Sequence, residues 1–265
     1  MKHPMYRKNG GNHRDDNTSG VANLLSDPLY LELTYSATRL PFGSYPKRLA
    51  AQLTETIFKS PGKLLELGCG RGEYLTAFKT LGFDVTGADI SPASRELVDH
   101  GYEIYEADLE RDEPPFPLGD YDFVFSKSVV EHTADPVKFL RAGFSALRPG
   151  GIAVVMTPSW EHTYWGPFFI DHTHITPFTK PSLTDAMQFA GFENVRTQYF
   201  WQLPFLWRHP KLLPIVRFMA KIPVPYSPMH EVNWPESLNK FIRFSKEAML
   251  LAVGRKPDQS AGTSR

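Results

Sequence analysis

The sequence has a single cysteine, Cys69, no excess of either charge and no long apolar run. One cysteine excludes an intramolecular disulfide framework and any zinc site built from several thiolates. The 29 Lys and Arg residues balance 29 Asp and Glu residues, so the overall charge does not indicate nucleic-acid binding. No stretch approaches the roughly 18 uninterrupted apolar residues of a membrane-spanning helix. The first residues also lack the apolar segment of a signal peptide, which leads us to expect a cytoplasmic protein.

The chain has polar ends and a middle that alternates short β-rich runs with helical patterns. Few apolar side chains occur in its two ends, and this predicts disordered tails. The boundaries that we predict are a tail over 1–20, a helical lead-in over 21–60, a core over 61–200, an insertion rich in proline and aromatic residues over 201–245, a last strand over 246–254 and a second tail over 255–265.

Alternation of strands and helices is typical of an α/β sheet that is mainly parallel. Strands are predicted at 63–67, 83–89, 102–108, 121–127, 151–157, 194–200 and 246–256. Helices are predicted within 45–60 and at 72–80, 92–100, 135–147 and 181–190. Ser91 and Asp135 are expected to cap two of them, while residues 147–151 are expected to turn into the next strand. The expected fold is a seven-stranded, mostly parallel sheet with helices on both faces and an antiparallel last strand.

A glycine-rich turn follows the first predicted strand directly. It consists of Gly68, Cys69, Gly70, Arg71 and Gly72. Glycines let the backbone approach a ligand closely, and the helix that follows offers free amide donors. A dinucleotide fingerprint would have its third glycine at position 73, where this chain has Glu73, and the acid Glu66 precedes the loop. The loop therefore indicates an uncharged or cationic ligand rather than a pyrophosphate.

Acidic residues end the second and third predicted strands. Asp89 lies about 20 residues after the loop, where a carboxylate accepts hydrogen bonds from ribose hydroxyls. Asp108 ends the next strand and is followed by Leu109, so a carboxylate for an exocyclic amine stands beside an apolar residue that can pack against a flat base.

The loop and the two acids, in this order, resemble the class I S-adenosylmethionine-dependent methyltransferases, and the chain is similar to their small-molecule branch, the type 11 and type 23 domains. Further matches are Tyr121-Asp122-Phe123-Val124, Val130-Glu131-His132 and Leu147-Arg148-Pro149-Gly150-Gly151. The resemblance covers roughly residues 60–200 and implies a Rossmann-like fold. It also implies S-adenosylmethionine as cofactor, bound by Glu66, Gly68, Cys69, Gly70, Gly72, Asp89, Ile90, Asp108, Leu109 and Ser126.

Residues 157–179 follow the fifth predicted strand and hold three histidines. His172 and His174 beside Asp171 are typical metal ligands. A third strong ligand is not evident in the sequence, and methyl transfer from a sulfonium needs no metal, so we expect none. Asp171, His172, His174 and His132 are instead our candidates for orienting or deprotonating an acceptor hydroxyl. A loop histidine that only binds backbone remains an alternative.

The acceptor is less well defined by the sequence. Enzymes that methylate bases of nucleic acids typically carry an Asp/Asn-Pro-Pro-Tyr motif where this chain has Phe125-Ser126-Lys127-Ser128, so a nucleic-acid substrate is not expected. Residues 194–230 contain five basic residues and no acid. This segment could be a cap, an anion-binding surface, or, through residues 204–230, an element that contacts lipid at the inner membrane face.

The expected function is methyl transfer from S-adenosylmethionine to a small molecule or to a glycan- or lipid-linked intermediate, more readily to oxygen than to carbon or nitrogen. Three alternatives stay open. The first is an NAD(P)-dependent oxidoreductase, and the second is a peripheral membrane enzyme that methylates quinones or lipids. The third is a non-catalytic cofactor-binding protein, in which Trp160, Trp165 or Phe169 would fill the acceptor space. The sequence does not define the oligomeric state.

Overall fold

The computed structural model describes residues 7–8, 20–27, 29–30, 43–221 and 236–258. Their centre is a mixed sheet with strands β1 Lys63–Leu67, β2 Asp84–Asp89, β3 Glu103–Glu106, β4 Tyr121–Lys127, β5 Leu147–Pro158, β6 Glu193–Trp201 and β7 Ala248–Arg255. The spatial order is β3-β2-β1-β4-β5-β7-β6. Strand β7 runs antiparallel to both β5 and β6, whereas β1 to β5 are parallel. The predicted Rossmann-like α/β sheet is confirmed.

A two-residue strand that the sequence did not predict, Arg7–Lys8, pairs in parallel with β3 at the sheet edge. The other residues of the predicted N-terminal tail before Gly20, and those after 258 in the C-terminal tail, lie outside the described residues. The disordered tails therefore remain predictions. So does the structure of residues 222–235, which belong to the predicted insertion and are also outside the described residues.

Helices cover both faces of the sheet, as predicted. They are α1 Gly20–Leu25, α2 Tyr45–Leu53, α3 Glu73–Lys79, α4 Glu96–Asp99, α5 Pro136–Ala146, α6 Trp160–Thr163, α7 Lys180–Phe189, α8 Pro204–Arg208, α9 Leu213–Ala220 and α10 Glu236–Lys246. A π-helical turn, Thr54–Phe58, continues α2, and short 3₁₀ turns occur at Pro92–Arg95, Val130–His132, Pro167–Ile170 and Pro210–Leu212.

Two apolar clusters form the core, one on each face of the sheet. Adjacent residues of β1 alternate between them, because side chains along a strand point to opposite faces. Leu64 packs with Leu49 of α2 and Phe78 of α3, whereas Leu65 packs with Phe139 of α5 and Met187 of α7. This alternation fixes the register of the central strand and thereby the position of the loop that follows it.

Two predicted helix caps, at Ser91 and Asp135, are present in the structure. The Asp135 carboxylate accepts a 3.0 Å bond from the Lys138 amide, and the Ser91 hydroxyl accepts one from Ala93. The turn predicted over 147–151 is wrong, because β5 already begins at Leu147. The pairing with β4 shifts register along this stretch, and Gly150 adopts a φ of 75°, so the chain bulges without leaving the sheet.

The described parts of the insertion, residues 201–221 and 236–245, pack against the core. Trp201, Leu203, Leu206, Val216 and Ala248 form a third, smaller apolar cluster in which α8, α9 and the start of β7 meet. No helix in the described ranges is both long enough and apolar enough to cross a bilayer. The carboxyl ends of β1 to β4 and the insertion thus enclose one edge of the sheet, where α/β proteins bind ligands.

Candidate functional site

A cavity of about 730 Å³ lies at this edge of the sheet. Its walls include eight of the ten residues predicted to bind a cofactor: Glu66, Gly68, Cys69, Gly70, Asp89, Ile90, Asp108 and Leu109. Parallel topology explains the convergence, since the carboxyl ends of neighbouring strands open on the same edge.

The glycine loop is held in shape by the end of β2. The amides of Gly68 and Cys69 both donate to the carbonyl of Ala88, over 2.7 and 3.2 Å. Gly68 and Gly70 have positive φ angles of 77° and 46°, which glycine adopts without strain. A side chain at 68 would collide with Val129, whereas a Cβ at 70 would meet nothing within 4 Å. Gly70 therefore presents bare backbone to the cavity.

Asp89 connects this loop to its own strand. One carboxylate oxygen accepts a 2.7 Å bond from the Gly70 amide, and the other accepts a 2.8 Å bond from the Ser91 amide. Burial raises the pKa of this carboxyl, and the two amide bonds act in the opposite direction. Each carboxylate oxygen keeps a second lone pair, so Asp89 can still accept hydrogen bonds from ligand hydroxyls.

Glu66 is a buried acid that lines the cavity, and the residue is 3% exposed. Its Oε2 atom has no hydrogen-bond partner among the described residues. Burial, reinforced by the charge of Asp89, raises the pKa of Glu66 well above its ordinary value. A buried acceptor without a donor is costly, so this position favours a ligand that brings an N–H group or positive charge.

Asp108 and Leu109 form the wall beyond Asp89. The Asp108 carboxylate accepts a 3.0 Å bond from the Glu110 amide and lies 3.5 Å from the Arg111 guanidinium. Burial raises its pKa, which the amide and the guanidinium partly offset. Leu109 is buried beside it and offers an apolar surface for a flat ring.

Two predicted cofactor residues are not part of the cavity wall. Gly72, at a φ of 71°, directly precedes α3, and a side chain there would collide with Leu97. Ser126 is buried between β4 and β1, where its hydroxyl donates to the carbonyl of Leu67 over 3.0 Å. Both residues shape the site from behind the wall, and neither is placed to touch a ligand in it.

His132 is the predicted catalytic residue that lines the cavity. Its Nδ1 atom lies 2.8 Å from the Thr173 hydroxyl, which in turn lies 2.6 Å from the Asp171 carboxylate. Asp171 also accepts a 2.9 Å bond from the hydroxyl of Tyr30. Burial lowers the pKa of His132, although the charges of Glu131 and Asp171 oppose this. Asp171 thus contacts His132 indirectly, through Thr173, and does not itself line the cavity.

The other two histidines are placed differently. His172 is exposed and lies outside the cavity wall. His174 is not among the residues that line the cavity, and its Nδ1 atom lies 2.5 Å from the carbonyl oxygen of Phe168. For His174 the structure gives the backbone-bound loop histidine that the sequence left as an alternative.

Metal-ligand atoms also come together, though in a set that the sequence did not suggest. Glu131, His132 and His174 each offer one such atom, and the three atoms lie within 4.8 Å of one another. The Oε2 atom of Glu131 accepts a 2.9 Å bond from the Thr157 hydroxyl, while its Oε1 atom has no hydrogen-bond partner among the described residues. The expectation that the chain holds no metal remains a prediction.

Several residues of the cavity wall belong to no recognisable sequence motif and were not predicted. Tyr45 enters from the start of α2, Tyr74 from α3 and Lys127 from the end of β4. Burial lowers the pKa of Lys127 and raises that of Tyr74. The insertion adds Gln202, Leu203, Pro204, Phe205, Lys240, Phe241 and Phe244. Trp160, Trp165 and Phe169 are not among the residues that line the cavity.

Comparison with known proteins agrees with this geometry. Residues 42–197 match a family described as a methyltransferase domain, of type 23. A ubiquinone biosynthesis O-methyltransferase of Caulobacter sp. strain K31 is 37% identical over 140 residues, covering 51% of this chain and 56% of that protein. One of Ruegeria pomeroyi is 28% identical over 169 residues, covering 55% and 66%. The match thus spans between about half and two thirds of the length of these curated relatives.

Solved structures show the same fold. The complex of the Haloferax volcanii Trm112 methyltransferase activator with a putative methyltransferase matches with a TM-score of 0.61 and 18% identity, over 86% of this chain and 96% of that one. Phosphoethanolamine N-methyltransferase 2 of Haemonchus contortus, in complex with S-adenosylmethionine, matches with a TM-score of 0.59 and 17% identity, over 90% and 60%. The chain belongs to the class I S-adenosylmethionine-dependent methyltransferases, within their type 23 methyltransferase domain family.

Proposed function

We propose that the protein transfers the methyl group of S-adenosylmethionine to a hydroxyl of a small, largely apolar acceptor. The observation that carries this proposal is that one cavity joins two chemically different walls. The glycine loop and three acids, of which Glu66 is buried and Asp89 and Asp108 are partly buried, form one wall. Apolar residues of the insertion, Leu203, Phe205, Phe241 and Phe244, form the other. At about 730 Å³ the cavity lies in the upper part of the range of ligand pockets, which is roughly 300–1,000 Å³.

The residues on the first wall fit the cofactor. Gly70 leaves open space above bare backbone, Asp89 retains lone pairs for ribose hydroxyls, and Glu66 offers an unpaired buried oxygen. When bound, S-adenosylmethionine supplies a methyl carbon that is already electrophilic. The tasks left to the protein are to orient the acceptor, exclude water and accept a proton. The charges of Asp89 and Asp108 also favour a cationic ligand over a neutral one.

His132 is the group we assign to proton acceptance. Thr173 has a single hydroxyl proton, and its short contact with the Asp171 carboxylate commits that proton to Asp171. Its oxygen must then accept from Nδ1–H of His132, which leaves a lone pair on Nε2. A neutral imidazole with this tautomer can take the proton of an acceptor hydroxyl as the oxygen attacks. Amine acceptors with a free lone pair need no such group, which is why we favour oxygen.

The acceptor class follows from the second wall. Four large apolar side chains and Pro204 offer few hydrogen bonds, so they select an acceptor with an apolar substituent beside its hydroxyl. The curated relatives named as ubiquinone biosynthesis O-methyltransferases agree with oxygen as the methylated atom. A phenol that carries an alkyl chain combines these two properties, and a lipid-linked intermediate does so equally well.

A transfer assay tests this proposal. Labelled S-adenosylmethionine is incubated with phenols bearing alkyl chains of increasing length and with the matching anilines as controls. We expect label in the phenol series, with kcat/KM rising as the chain lengthens. Gly70→Arg, whose side chain would project into the cavity, should abolish transfer. Transfer that survives this substitution, or labelling of the anilines alone, would contradict the proposal. If a chelator abolished transfer by the wild type, His132 would not be the base. Glu131, His132 and His174 would then be the ligands of a metal ion.

A contact with lipid is the second part of the proposal, and helix α9 supports it. Ile215, Phe218 and Met219 expose 57%, 70% and 41% of their surfaces. Arg217 lies on this helix and Lys221 follows it, and residues 194–221 contain no acid. Exposed apolar side chains among basic residues are the composition of elements that lie on anionic membranes.

Vesicle sedimentation tests the lipid contact. We expect the protein to bind vesicles with 30% or so of an anionic phospholipid and to bind neutral vesicles more weakly. The double variant Ile215→Ser and Phe218→Ser should not bind, because roughly 25 cal/mol of binding free energy is lost per Å² of apolar surface removed. Phe189→Ser is the matched control, since Phe189 is 73% exposed on a different helix, α7. Equal binding by the double variant and the control would contradict this contact.

A further inference from the structure

Lys127 is a cation of the cavity wall to which the proposed reaction gives no part. It ends β4, is partly buried and lines the cavity. Its Nζ atom lies 3.2 Å from the hydroxyl oxygen of Ser128 and 5.9 Å from the ring centroid of Tyr74. Within the described part of the chain, no carboxylate forms an ion pair with it. Removing an ammonium group from water without a counter-ion costs free energy, so this position favours a ligand that brings negative charge.

Three acids act on Lys127 from a distance and favour its charged form. Burial lowers the pKa of Lys127, whereas the charges of Glu131, Glu73 and Glu66 oppose this. Glu73 forms its ion pair with Arg71 instead, over 2.9 Å. Lys127 is therefore an ammonium group whose charge is supported by its surroundings and is not neutralised by direct contact.

Ser128 adds a second donor beside this ammonium group. An ammonium group can only donate, so the Ser128 oxygen accepts the 3.2 Å bond from Lys127. The hydroxyl proton of Ser128 has no acceptor among the described residues, and Ser128 also lines the cavity. Lys127 keeps two further N–H groups. Two adjacent residues thus offer the cavity several donors and one positive charge.

The backbone at Ser128 supports a functional interpretation of this pair. Ser128 has a φ of 58°, in the left-handed region that glycine adopts without strain and serine does not. Its amide donates a 2.9 Å bond to the carbonyl of Met156 on the neighbouring strand β5, which holds this conformation. Strained backbone that its surroundings maintain is concentrated at functional sites. A serine at a position that suits glycine keeps a hydroxyl at the end of β4.

Both donors line the same cavity as His132. The charge of Glu131 acts on Lys127 and on His132, which places these groups in one electrostatic neighbourhood. We propose that Lys127 and Ser128 form an oxyanion site that holds the acceptor oxygen as it loses its proton to His132. This inference rests on the proposed function for the reaction. Its new content is the oxyanion site and the class of acceptor that the site selects.

The oxyanion site acts on the oxygen that is methylated. The proton of the acceptor hydroxyl passes to Nε2 of His132, and a lone pair of the same oxygen forms the bond to the methyl carbon. The electron pair of the carbon–sulfur bond returns to sulfur. Hydrogen bonds from Lys127 and Ser128 stabilise the negative charge that the oxygen gains as its proton leaves.

Such a site selects a phenol over an aliphatic alcohol. An opposite charge in contact lowers the pKa of an acid by about 1–3. A phenol ionises near pH 10 or so, as tyrosine does, and this lowering brings it towards neutral pH. An aliphatic alcohol ionises about as weakly as bulk water, whose pKa is about 15.7, and stays protonated. Among the apolar acceptors that the insertion would admit, the protein therefore takes a phenol and binds it as the phenolate.

Optical titration with 4-nitrophenol tests the oxyanion site without any methyl transfer, because its phenolate absorbs visible light. The protein is first saturated with S-adenosylhomocysteine. We expect the pKa of bound nitrophenol to lie at least about 1 below that of the free compound. Lys127→Met, which keeps the length of the side chain, should remove this lowering and weaken phenolate binding about tenfold. Lys79→Met is the matched control, since Lys79 also lies over a tyrosine ring, 4.3 Å from the centroid of Tyr102, but is not among the residues that line the cavity.

Ser128→Gly distinguishes a donor from a residue that only shapes the turn. Glycine adopts the positive φ of this position without strain, so the variant removes the hydroxyl and keeps the backbone. In calorimetric titration it should weaken the binding of nitrophenolate and leave the Kd of 4-nitroanisole, whose oxygen carries no charge, unchanged. Equal weakening of both compounds would show a structural defect and contradict the inference.

The outcomes separate this inference from the proposed function. If nitrophenol bound to the wild type keeps its free pKa, or if Lys127→Met and Lys79→Met give the same bound pKa, the oxyanion site is wrong while the proposed methyl transfer stands. If the wild type binds neither S-adenosylhomocysteine nor nitrophenol, the proposed function itself is contradicted. Thermal unfolding of Lys127→Met, monitored by circular dichroism, verifies that any loss occurs in folded protein.

Discussion

The amide of Gly70 donates a 2.7 Å hydrogen bond to the carboxylate of Asp89, and this bond ties the glycine loop to the end of the neighbouring strand. Asp89 also receives the amide of Ser91, so one side chain holds the backbone of two segments that line the cavity. The arrangement makes Asp89 a structural part of the loop as well as a ligand-binding group.

Asp89→Asn is therefore expected to weaken the binding of S-adenosylhomocysteine at least about tenfold. The amide nitrogen of Asn cannot accept a hydrogen bond from one of these two amides, and a charge-assisted hydrogen bond contributes about 1.5–3 kcal/mol. Asp84→Asn, at the exposed start of the same strand, is the control and should bind normally. Calorimetry measures both. Equal affinities of the two variants would show that the Gly70 bond does not shape the site.

Glu66→Gln should change how stability depends on pH. Burial, then the charge of Asp89, raises the pKa of Glu66 in the folded protein, so the folded state keeps a proton that the unfolded chain releases above about pH 4.3. Wild-type stability consequently falls as the pH rises from there towards the folded-state pKa. Glutamine has no such proton to lose.

Urea unfolding without cofactor, repeated across pH, measures this difference. The free energy of unfolding of Glu66→Gln, relative to the wild type, should increase with pH and level off above the folded-state pKa. A pH-independent difference would mean that Glu66 titrates alike in both states. The same variant should gain less stability from S-adenosylhomocysteine, so the group that destabilises the empty fold is one that binds its ligand.

Thr173 offers a test of the proton acceptor that leaves His132 in place. Thr173→Val removes the hydroxyl that orients Nδ1 while keeping a similar shape, and it should lower kcat roughly tenfold with little change in KM. Thr173→Ser restores the hydroxyl and should recover most of the rate. Both variants are compared by steady-state kinetics on the best phenol. If valine and serine behaved alike, the hydroxyl would have no part in orienting His132.

Cys69 should be inert in the folded protein. Burial, followed by the charges of Asp89 and Glu66, raises the pKa of its thiol well above the ordinary value, which suppresses the thiolate. Iodoacetamide at pH 8 should therefore modify native protein at least about tenfold more slowly than protein in 6 M or so guanidinium, as followed by mass spectrometry. Equally fast modification in both states would mean that the loop opens readily.

The cofactor side of this site could be predicted from sequence because its determinants are local. Gly68 and Gly70 follow a strand within a few residues, and Asp89 and Asp108 end the next two strands of a parallel sheet, so topology alone brings them together. The positions of Gly72 and Ser126 show the limit of that reasoning. A residue in the right segment can still face away from the cavity, and spacing does not reveal which way it points.

The acceptor side depends on contacts between distant segments. His132 meets Thr173 across 41 residues, and Tyr45 meets Trp207 across a still greater separation. Nothing in the local pattern around His172 indicated that it would be exposed while His132 would line the cavity. Apolar residues such as Phe241 carry no positional signal either, because a wall residue and a core residue look alike in sequence.

The position of β7 has a consequence for how the chain is made. This strand, Ala248–Arg255, lies between β5 and β6 and pairs with both. Strand β6 has no other neighbour in the described sheet, so it cannot join until residue 255 has left the ribosome. The loops of β1 to β4 can form much earlier during synthesis. A nascent chain therefore presents a nearly complete glycine-loop edge while the insertion side of the cavity is still unassembled.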